Sequence, residues 1–161
     1  GFDTPDRKFH FSPDWKRFGG RWQEMPALPD HMDVIDSATA EKPFRLVAAP
    51  ARTFLNSTFT ETPSSLKRER RPTALIHPAD CAALGVTEGD RVRLGNQRGE
   101  VVVHVRPRDG QQRGVVVVEG LWPNRHFENG LGINALTSAD PGWPNGGAAF
   151  HDTAVWIRRK D

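Results

Sequence analysis

The stretch LGVTEGDRVRLGNQRGEV, residues 84–101, predicts the fold more directly than any other part of the chain. Gly85 suits the position just past a helix end, and Gly89 gives the turn TEGD a residue that takes positive φ without steric cost. The Asp90 carboxylate can accept hydrogen bonds from N–H groups of that turn, which sets the direction of the next strand. Two strands follow, separated by the hairpin turn NQRG. The stretch therefore predicts a helix end, a tight turn and a two-stranded hairpin.

The segments around this stretch show the same strand pattern. RVRL places Val92 and Leu94 inward, and EVVVHVRP places alternate valines on one face. PFRLVAAP and TAVWIRR are interpreted as the first and last strands, and VVVVEG as a strand buried on both faces. ALIHPADCAALG predicts a strand followed by a helix over 78–84, because proline suits a first helical turn. Together these segments predict a mainly β barrel of about six or seven strands with one or two short helices, rather than a parallel α/β sheet.

The composition is typical of one globular domain and excludes several classes of function. The chain has 161 residues, and its net charge of +2 with a pI of about 9.0 is too small a bias for a dedicated nucleic-acid binder. It has neither an apolar run of membrane-spanning length nor a secretory signal pattern, so we expect a cytoplasmic protein, with the periplasm left open. The single cysteine, Cys81, excludes an internal disulfide and an all-cysteine metal site. We expect it to be a small buried apolar residue.

Two long segments lack periodicity. Residues 1–43 are rich in proline and charge and are interpreted as an N-terminal arm, in which Phe9 and Phe11 of KFHF predict a short strand. Residues 119–151 show neither a helix nor a strand pattern, and so long a segment is normally either functional or disordered. Its apolar content argues against disorder: Leu121, Trp122, Phe127, Leu131, Ile133, Leu136, Trp143 and Phe150. We therefore expect an ordered, functional loop.

Four segments form an ordered set of motifs: GFDTPDRKFHF, FRLVAAPARTFLNSTFTE, IHPADCAALGVTEGDRVRLGNQRGEV and NALTSADPGWPNGGAAFHDTAVWI. Together they resemble the C-terminal molybdopterin-dinucleotide-binding domain of the molybdopterin-dependent oxidoreductases, which include formate dehydrogenases and dimethyl-sulfoxide reductases. The resemblance implies a double-psi β-barrel over residues 44–161, preceded by the arm 1–43, and gives Gly89 and Asp90 a role in the fold. It also implies a piece of a longer oxidoreductase, as does a first residue other than Met. Because the loop PARTFLNST differs from that of many formate dehydrogenases, the resemblance does not supply the substrate.

The resemblance implies a bis-molybdopterin guanine dinucleotide cofactor that holds molybdenum or tungsten. Amide and hydroxyl side chains would meet its rings, and N–H groups or cations its phosphates. The residues implied as cofactor-binding are Arg52, Asn56, Ser57 and Thr58 on one loop and Asn134, Thr137, Phe150 and His151 on the other, with Arg125 as a second phosphate candidate. We expect this chain to hold neither a catalytic residue nor a metal ligand. The expected partners are the remainder of the parent enzyme and separate iron–sulfur or electron-transfer proteins, without nucleic acid or a membrane span.

Simpler interpretations stay open at this point. Asn56, Ser57 and Asn134 are also suited to capping turns, and NST is a glycosylation sequon. Residues 66–71, LKRERR, are expected to form a solvated turn, and His104 to lie exposed or hydrogen-bonded on a strand. For the whole chain, a free-standing double-psi adaptor module and a basic nucleic-acid-binding barrel are alternatives. An adaptor has no need of the loop 119–151, and the aromatic residues cluster in that loop rather than beside basic stripes.

The cofactor interpretation makes a geometric prediction. A dinucleotide needs polar groups from more than one segment, so the loops 50–59 and 119–151 should lie side by side at one end of the barrel. Glycines at 130, 132, 142, 146 and 147 would let the backbone approach a flat ring. In this chain alone, the apolar side chains of Trp122, Phe127 and Trp143 should be partly exposed or covered by a second copy.

Overall fold

The structure, a computed structural model, describes residues 1–28, 30, 36–142, 147–151 and 153–161. Its strands are β1 (Phe44–Ala49), β2 (Thr73–Ile76), β3 (Arg91–Asn96), β4 (Gly99–Pro107), β5 (Val115–Glu119), β6 (Pro141–Gly142), β7 (Gly147–Ala148) and β8 (Thr153–Arg159). Its α-helices are α1 (Pro63–Glu69) and α2 (Pro78–Leu84). Short 3-10 turns span Trp15–Phe18, Gly20–Glu24, Asn124–His126 and Ile133–Leu136. The predicted helix over 78–84 is therefore confirmed.

Six of the strands close into a barrel in the order β1-β5-β2-β4-β3-β8. Two neighbouring pairs, β1 with β5 and β2 with β4, run parallel, and the other neighbours run antiparallel. The prediction of a mainly β double-psi barrel with two short helices is confirmed. The parallel pairing of β1 and β5 matters most for the site, because it brings the carboxyl ends of two strands that are distant in sequence to the same rim of the barrel.

The turn TEGD has the predicted geometry. Gly85 and Gly89 have φ of 66° and 87°, and the Thr87 N–H donates to the Asp90 carboxylate at 2.8 Å. This bond holds the pKa of Asp90 below its usual value. The turn also crosses β4, because the Gly89 N–H donates to the Val105 carbonyl and the Val105 N–H to the Asp90 carbonyl, both at 2.8 Å. Gly89 and Asp90 therefore stabilise the barrel crossing.

The core follows the predicted alternation in most strands. The inward side chains of β3 and β4 are almost completely inaccessible: Val92, Leu94, Val101, Val103 and Val105. The prediction for β5 was wrong on one point, since Val116 and Val118 are buried while Val115 and Val117 are only half-buried. One face of β5 therefore meets the core, and the other is partly open to solvent.

Two local predictions outside the barrel were wrong. Residues 9–11 form no strand, and the exposed rings of Phe9 and Phe11 instead pack edge to face with centroids 4.8 Å apart. Residues 66–69 belong to α1 rather than to a solvated turn, because Leu66 packs on the core and the Glu69 carboxylate accepts from the Thr53 backbone and hydroxyl at 3.1 and 2.7 Å. Helix α1 thus depends on a contact with a residue 16 positions away in the sequence.

Within the described ranges, none of the helices has the length and apolar character that a bilayer crossing requires.

Candidate functional site

A cavity of about 590 Å³ opens at the rim where β1 and β5 end. Its wall includes the end of β1 and the residues that follow it, together with the first residues after β5. The complete lining is Ala48, Ala49, Pro50, Asn56, Gly120, Leu121, Asn134, Thr137 and Phe150. The loops 50–59 and 119–151 thus meet at one end of the barrel, as predicted. We refer to this space, defined by that lining, as the β1–β5 cavity.

The polar side chains of the β1–β5 cavity come from both loops. Asn56 and Asn134 are both exposed, and their amides form no hydrogen bond with any described residue, so each presents a free donor and a free acceptor. Thr137 is oriented differently, because its hydroxyl donates to the Asn134 carbonyl at 3.0 Å. The Thr137 N–H donates to the same carbonyl at 3.2 Å. Two unpaired amides on an otherwise apolar wall can fix the polar edge of a flat ligand.

Asn56 lies in a strained tight turn. The N–H of Leu55 donates to the Thr58 carbonyl at 3.1 Å, and the Thr58 N–H donates back to the Leu55 carbonyl at 2.8 Å. Asn56 has a φ of 53°, a left-handed conformation that asparagine tolerates better than most residues. Its side chain is nevertheless not used to cap the turn. The turn therefore fixes the position of an amide that remains available to a ligand.

Phe54 and Trp122 lock the two loops together. Their rings pack edge to face with centroids 4.8 Å apart, and the Trp122 indole N–H donates to the Glu119 carbonyl at 3.2 Å. Trp122 is 5% exposed and Phe127 is 3% exposed. The prediction that these two side chains would be partly exposed or covered by a second copy was therefore wrong, because the chain's own core covers them. Trp143 lies outside the described residues.

A second, polar contact joins the loops at the surface. The Glu61 carboxylate lies 2.6 Å from the Arg125 guanidinium and 2.9 Å from His126 Nε2. Both contacts hold the pKa of Glu61 below its usual value, Arg125 being the larger cause. The His126 ring also packs on Trp122, with centroids 5.1 Å apart. Arg125, the second phosphate candidate, is thus engaged by a carboxylate of its own chain.

The loop 119–151 closes on itself through Asn124. Its Oδ1 atom accepts from the Gly132 N–H at 3.1 Å, and a Cβ atom at position 132 would lie 2.6 Å from the same oxygen. A side chain at position 132 would therefore displace the Asn124 amide and disturb this hydrogen bond. The glycines at 130, 132, 142 and 147 do not line the β1–β5 cavity, and Gly146 lies outside the described residues. The glycine that does line it, Gly120, was not predicted, although its place directly after the run VVVVE marks a strand end.

The predicted site residues divide into two groups. Asn56, Asn134, Thr137 and Phe150 line the β1–β5 cavity, whereas Arg52, Ser57, Thr58 and His151 do not. Phe150 is 53% exposed, with its ring centroid 4.4 Å from that of His151. The ranges that the structure describes contain no cluster of three metal-ligating side chains. The lining of the candidate site consists of amide and hydroxyl side chains, backbone and apolar side chains.

The fold defines a class, namely a double-psi barrel, here with a cavity between the loops at one rim. A family model described as "Molydopterin dinucleotide binding domain" matches residues 44–154. The chain belongs to that family and is a molybdopterin dinucleotide-binding domain. Its unpaired amides suit a cofactor of this kind, since a pterin presents both donors and acceptors at its edge.

Similar proteins are much longer than this chain. The probable oxidoreductase YoaE of Bacillus subtilis is 34% identical over 157 residues, which are 97% of this chain and 22% of that protein. A putative catalytic subunit of dimethyl sulfoxide reductase from Halobacterium salinarum is 30% identical over 85% of this chain and 18% of its own length. Acetylene hydratase from Pelobacter acetylenicus shares the fold with a TM-score of 0.66 at 17% identity, over 83% of this chain and 21% of its own. The chain spans about a fifth of the length of these proteins.

Proposed function

We propose that the β1–β5 cavity binds one end of a bis-molybdopterin guanine dinucleotide, carrying molybdenum or tungsten, in a longer oxidoreductase. The cofactor would supply the redox chemistry, and this chain would bind and orient it. Within the longer protein, residues 44–161 would form the binding domain and residues 1–43 an arm. The remainder of that enzyme and separate iron–sulfur or electron-transfer proteins would be its partners. We further propose that the protein is cytoplasmic.

The free amides of Asn56 and Asn134 carry this proposal. They come from segments far apart in sequence and face one cavity, and each offers the paired donor and acceptor that a pterin or guanine edge requires. Gly120 belongs to the same wall, which therefore includes backbone as well as side chains. The apolar part of the wall would exclude water from the bound ring.

The adaptor alternative explains less of the structure. A free-standing barrel has no need of a loop that buries Trp122 and Phe127 in order to hold an unpaired Asn134 at the rim. The relatives support the enzyme proposal, since several of them are named as oxidoreductases.

Alanine variants of Asn56 and Asn134 in the longer protein test the assignment. Each change removes hydrogen bonds worth about 1 kcal/mol apiece, so cofactor affinity should fall roughly fivefold to tenfold per variant and further in the double variant. Cofactor retained after dialysis is measured from the fluorescence of the extracted pterin and the metal content per protein. The melting temperature of the 161-residue chain should stay nearly unchanged in Asn134→Ala and fall by only a few degrees in Asn56→Ala, because alanine adopts the left-handed conformation of that turn less readily than asparagine.

Asn129→Ala is the matched control. Asn129 belongs to the same loop, but its amide donates to the Glu100 carbonyl at 2.6 Å and does not line the cavity. This variant should retain its cofactor. If Asn56→Ala or Asn134→Ala unfolds the chain and spares the cofactor content, the two residues are turn caps and the assignment is wrong. Alanine at Arg52, Ser57, Thr58 or His151 tests whether the cofactor reaches beyond the cavity.

The isolated 161-residue chain should have no oxidoreductase turnover. Under the proposal, the metal ligand and about half of the cofactor contacts belong to the rest of the longer protein. Reduction or oxidation of a dye by this chain with added cofactor would contradict the proposal that turnover requires the rest of the longer protein.

A further inference from the structure

A buried ion pair joins the segment before the barrel to the β3–β4 hairpin. The guanidinium of Arg98 lies against both carboxylate oxygens of Asp36, with NH1–Oδ2 and NH2–Oδ1 distances of 2.6 and 3.1 Å. Asp36 is only 7% exposed. The Arg98 contact lowers the pKa of Asp36, and the pKa of Arg98 is raised in return. Arg45 adds a bond from its guanidinium to the Asp36 carbonyl at 2.6 Å. A bidentate pair of this kind has a defined orientation as well as a charge.

The same arginine reaches the loop that contains Asn134. Arg98 NH1 lies 3.4 Å from the Leu136 carbonyl, and Asn96 Nδ2 donates to that carbonyl at 2.8 Å. Asn96 is itself fixed, because its Oδ1 accepts from the Arg98 N–H at 2.9 Å. Leu136 is the last residue of the 3-10 turn Ile133–Leu136 and is completely buried. This one carbonyl is therefore the point at which the hairpin holds the turn.

The 3-10 turn Ile133–Leu136 places two lining residues of the β1–β5 cavity. Asn134 lies within it, and Thr137 follows directly. Since no described residue bonds to the Asn134 amide, its position depends on how the turn is anchored. Burial of Ile133 and Leu136 fixes the depth of the turn, but apolar contacts are not directional. Hydrogen bonds to the Leu136 carbonyl supply the missing direction.

We propose that Arg98, Asn96 and Asp36 are positioning residues for the cofactor site. Arg98 and Asn96 hold the turn at the Leu136 carbonyl, and Asp36 holds Arg98 in the orientation that this requires. The segment before the barrel thus controls where Asn134 and Thr137 face the cavity. The inference rests on the proposed function only for its effect on the cofactor. The effect of the Asp36–Arg98 pair on the 3-10 turn Ile133–Leu136 does not depend on the proposed function.

Amide hydrogen exchange in the 161-residue chain tests the coupling without any cofactor. In Arg98→Met, the amides of Ala135 and Thr137 should exchange about tenfold to a hundredfold faster, since bonds to a charged group are lost. Amides in the barrel strands β2 and β5 should be unaffected. Arg98→Lys keeps the charge without the bidentate geometry and should show a smaller increase in these two exchange rates. Unchanged exchange at both amides would overturn the inference.

Arg93→Met is the matched control. Arg93 belongs to the same hairpin and pairs with Glu100 at 3.9 Å, away from the Leu136 carbonyl. Its substitution should leave the exchange rates of the Ala135 and Thr137 amides unchanged. If Arg98→Met and Arg93→Met speed exchange equally, or if all barrel amides accelerate together, Arg98 has a general stabilising role only and the inference is wrong.

A double variant in the longer protein separates positioning from stability. If Arg98 acts on the cofactor mainly through Asn134, then Arg98→Met combined with Asn134→Ala should lose clearly less cofactor than the sum of the two single losses. Additive losses would contradict positioning through Asn134. Faster exchange in Arg98→Met with unchanged cofactor content in every variant would instead leave the coupling standing and refute the proposed function.

Discussion

Substitution of Gly120 by alanine probes the rim of the barrel where β5 turns into the loop 119–151. Gly120 has a φ of 85°, and its N–H donates to the Ala49 carbonyl at 2.8 Å. A Cβ atom there would lie 2.6 Å from Phe54 Cδ2, 3.0 Å from Phe54 Cε2 and 3.1 Å from Ala51 Cβ. Phe54 is 6% exposed and packs on Trp122, so its ring has little room to move. The substitution therefore strains the backbone and overpacks the contact between the loops.

The two effects can be estimated separately. Left-handed backbone costs an L-residue about 1 to 2 kcal/mol. Overpacking of a well-filled contact costs about 1 to 3 kcal/mol. The sum is about 2 to 5 kcal/mol, and because 1 kcal/mol shifts the melting temperature of a chain of this size by about 2 to 4 °C, we expect a decrease of roughly 4 to 20 °C.

Gly110→Ala is the matched control for backbone strain. Gly110 has a φ of 76°, but nothing lies within 4 Å of its Cβ position. Thermal and urea unfolding of both variants give the free energy of unfolding, and Gly120→Ala should be the more destabilised by at least about 1 kcal/mol. Equal destabilisation of the two variants would refute the argument that Phe54 occupies the space beside Gly120.

Three further predictions address the turn, the ion pair and the thiol. Gly89→Val should destabilise the fold by more than about 1 kcal/mol in urea unfolding, because φ is 87° there. Since Arg98 lowers the native pKa of Asp36, their contribution to stability should be complete above about pH 5 and disappear as the pH falls through that native pKa. In Arg98→Met, the free energy of unfolding measured with urea should no longer show this loss at acid pH. The same pH dependence in Arg98→Met and in the unsubstituted chain would contradict the prediction. Cys81 is 3% exposed and burial raises its pKa, so a thiol reagent at neutral pH should label it only after unfolding, and rapid labelling of the native chain would show otherwise.

Most of the barrel could be predicted from the sequence because its determinants are local. Val92 and Leu94 alternate with charged residues at the two-residue period of a strand, and that period sets the buried face. Gly85 and Gly89 take the left-handed conformations that their turns require. The local pattern failed for α1, where contacts with Thr53 and the core decide the structure, and at residues 9–11, where the alternating phenylalanines are exposed and form no strand.

The candidate site could be predicted only in part. Asn56 and Asn134 came from motif resemblance, and the structure places both on one wall. Gly120 was not predicted, because its place in the cavity wall follows from the parallel pairing of β1 with β5 rather than from its own residue type. The burial of Trp122 was missed for a similar reason, since its partner Phe54 is remote in sequence.

The sequence by itself thus determined the six strands of the barrel, the turn TEGD and the family of this protein, all of which depend on neighbouring residues or on the order of short motifs. Only the tertiary structure decided how the loops are held. The bond between Asp36 and Arg98 spans 62 positions and joins an arm to a hairpin. Charged residues are common on protein surfaces, so the sequence does not show that Asp36 pairs with Arg98. Closure of the barrel brings Asp36 and Arg98 together. Because burial removes water from the pair, its contribution to stability depends on its hydrogen-bond geometry.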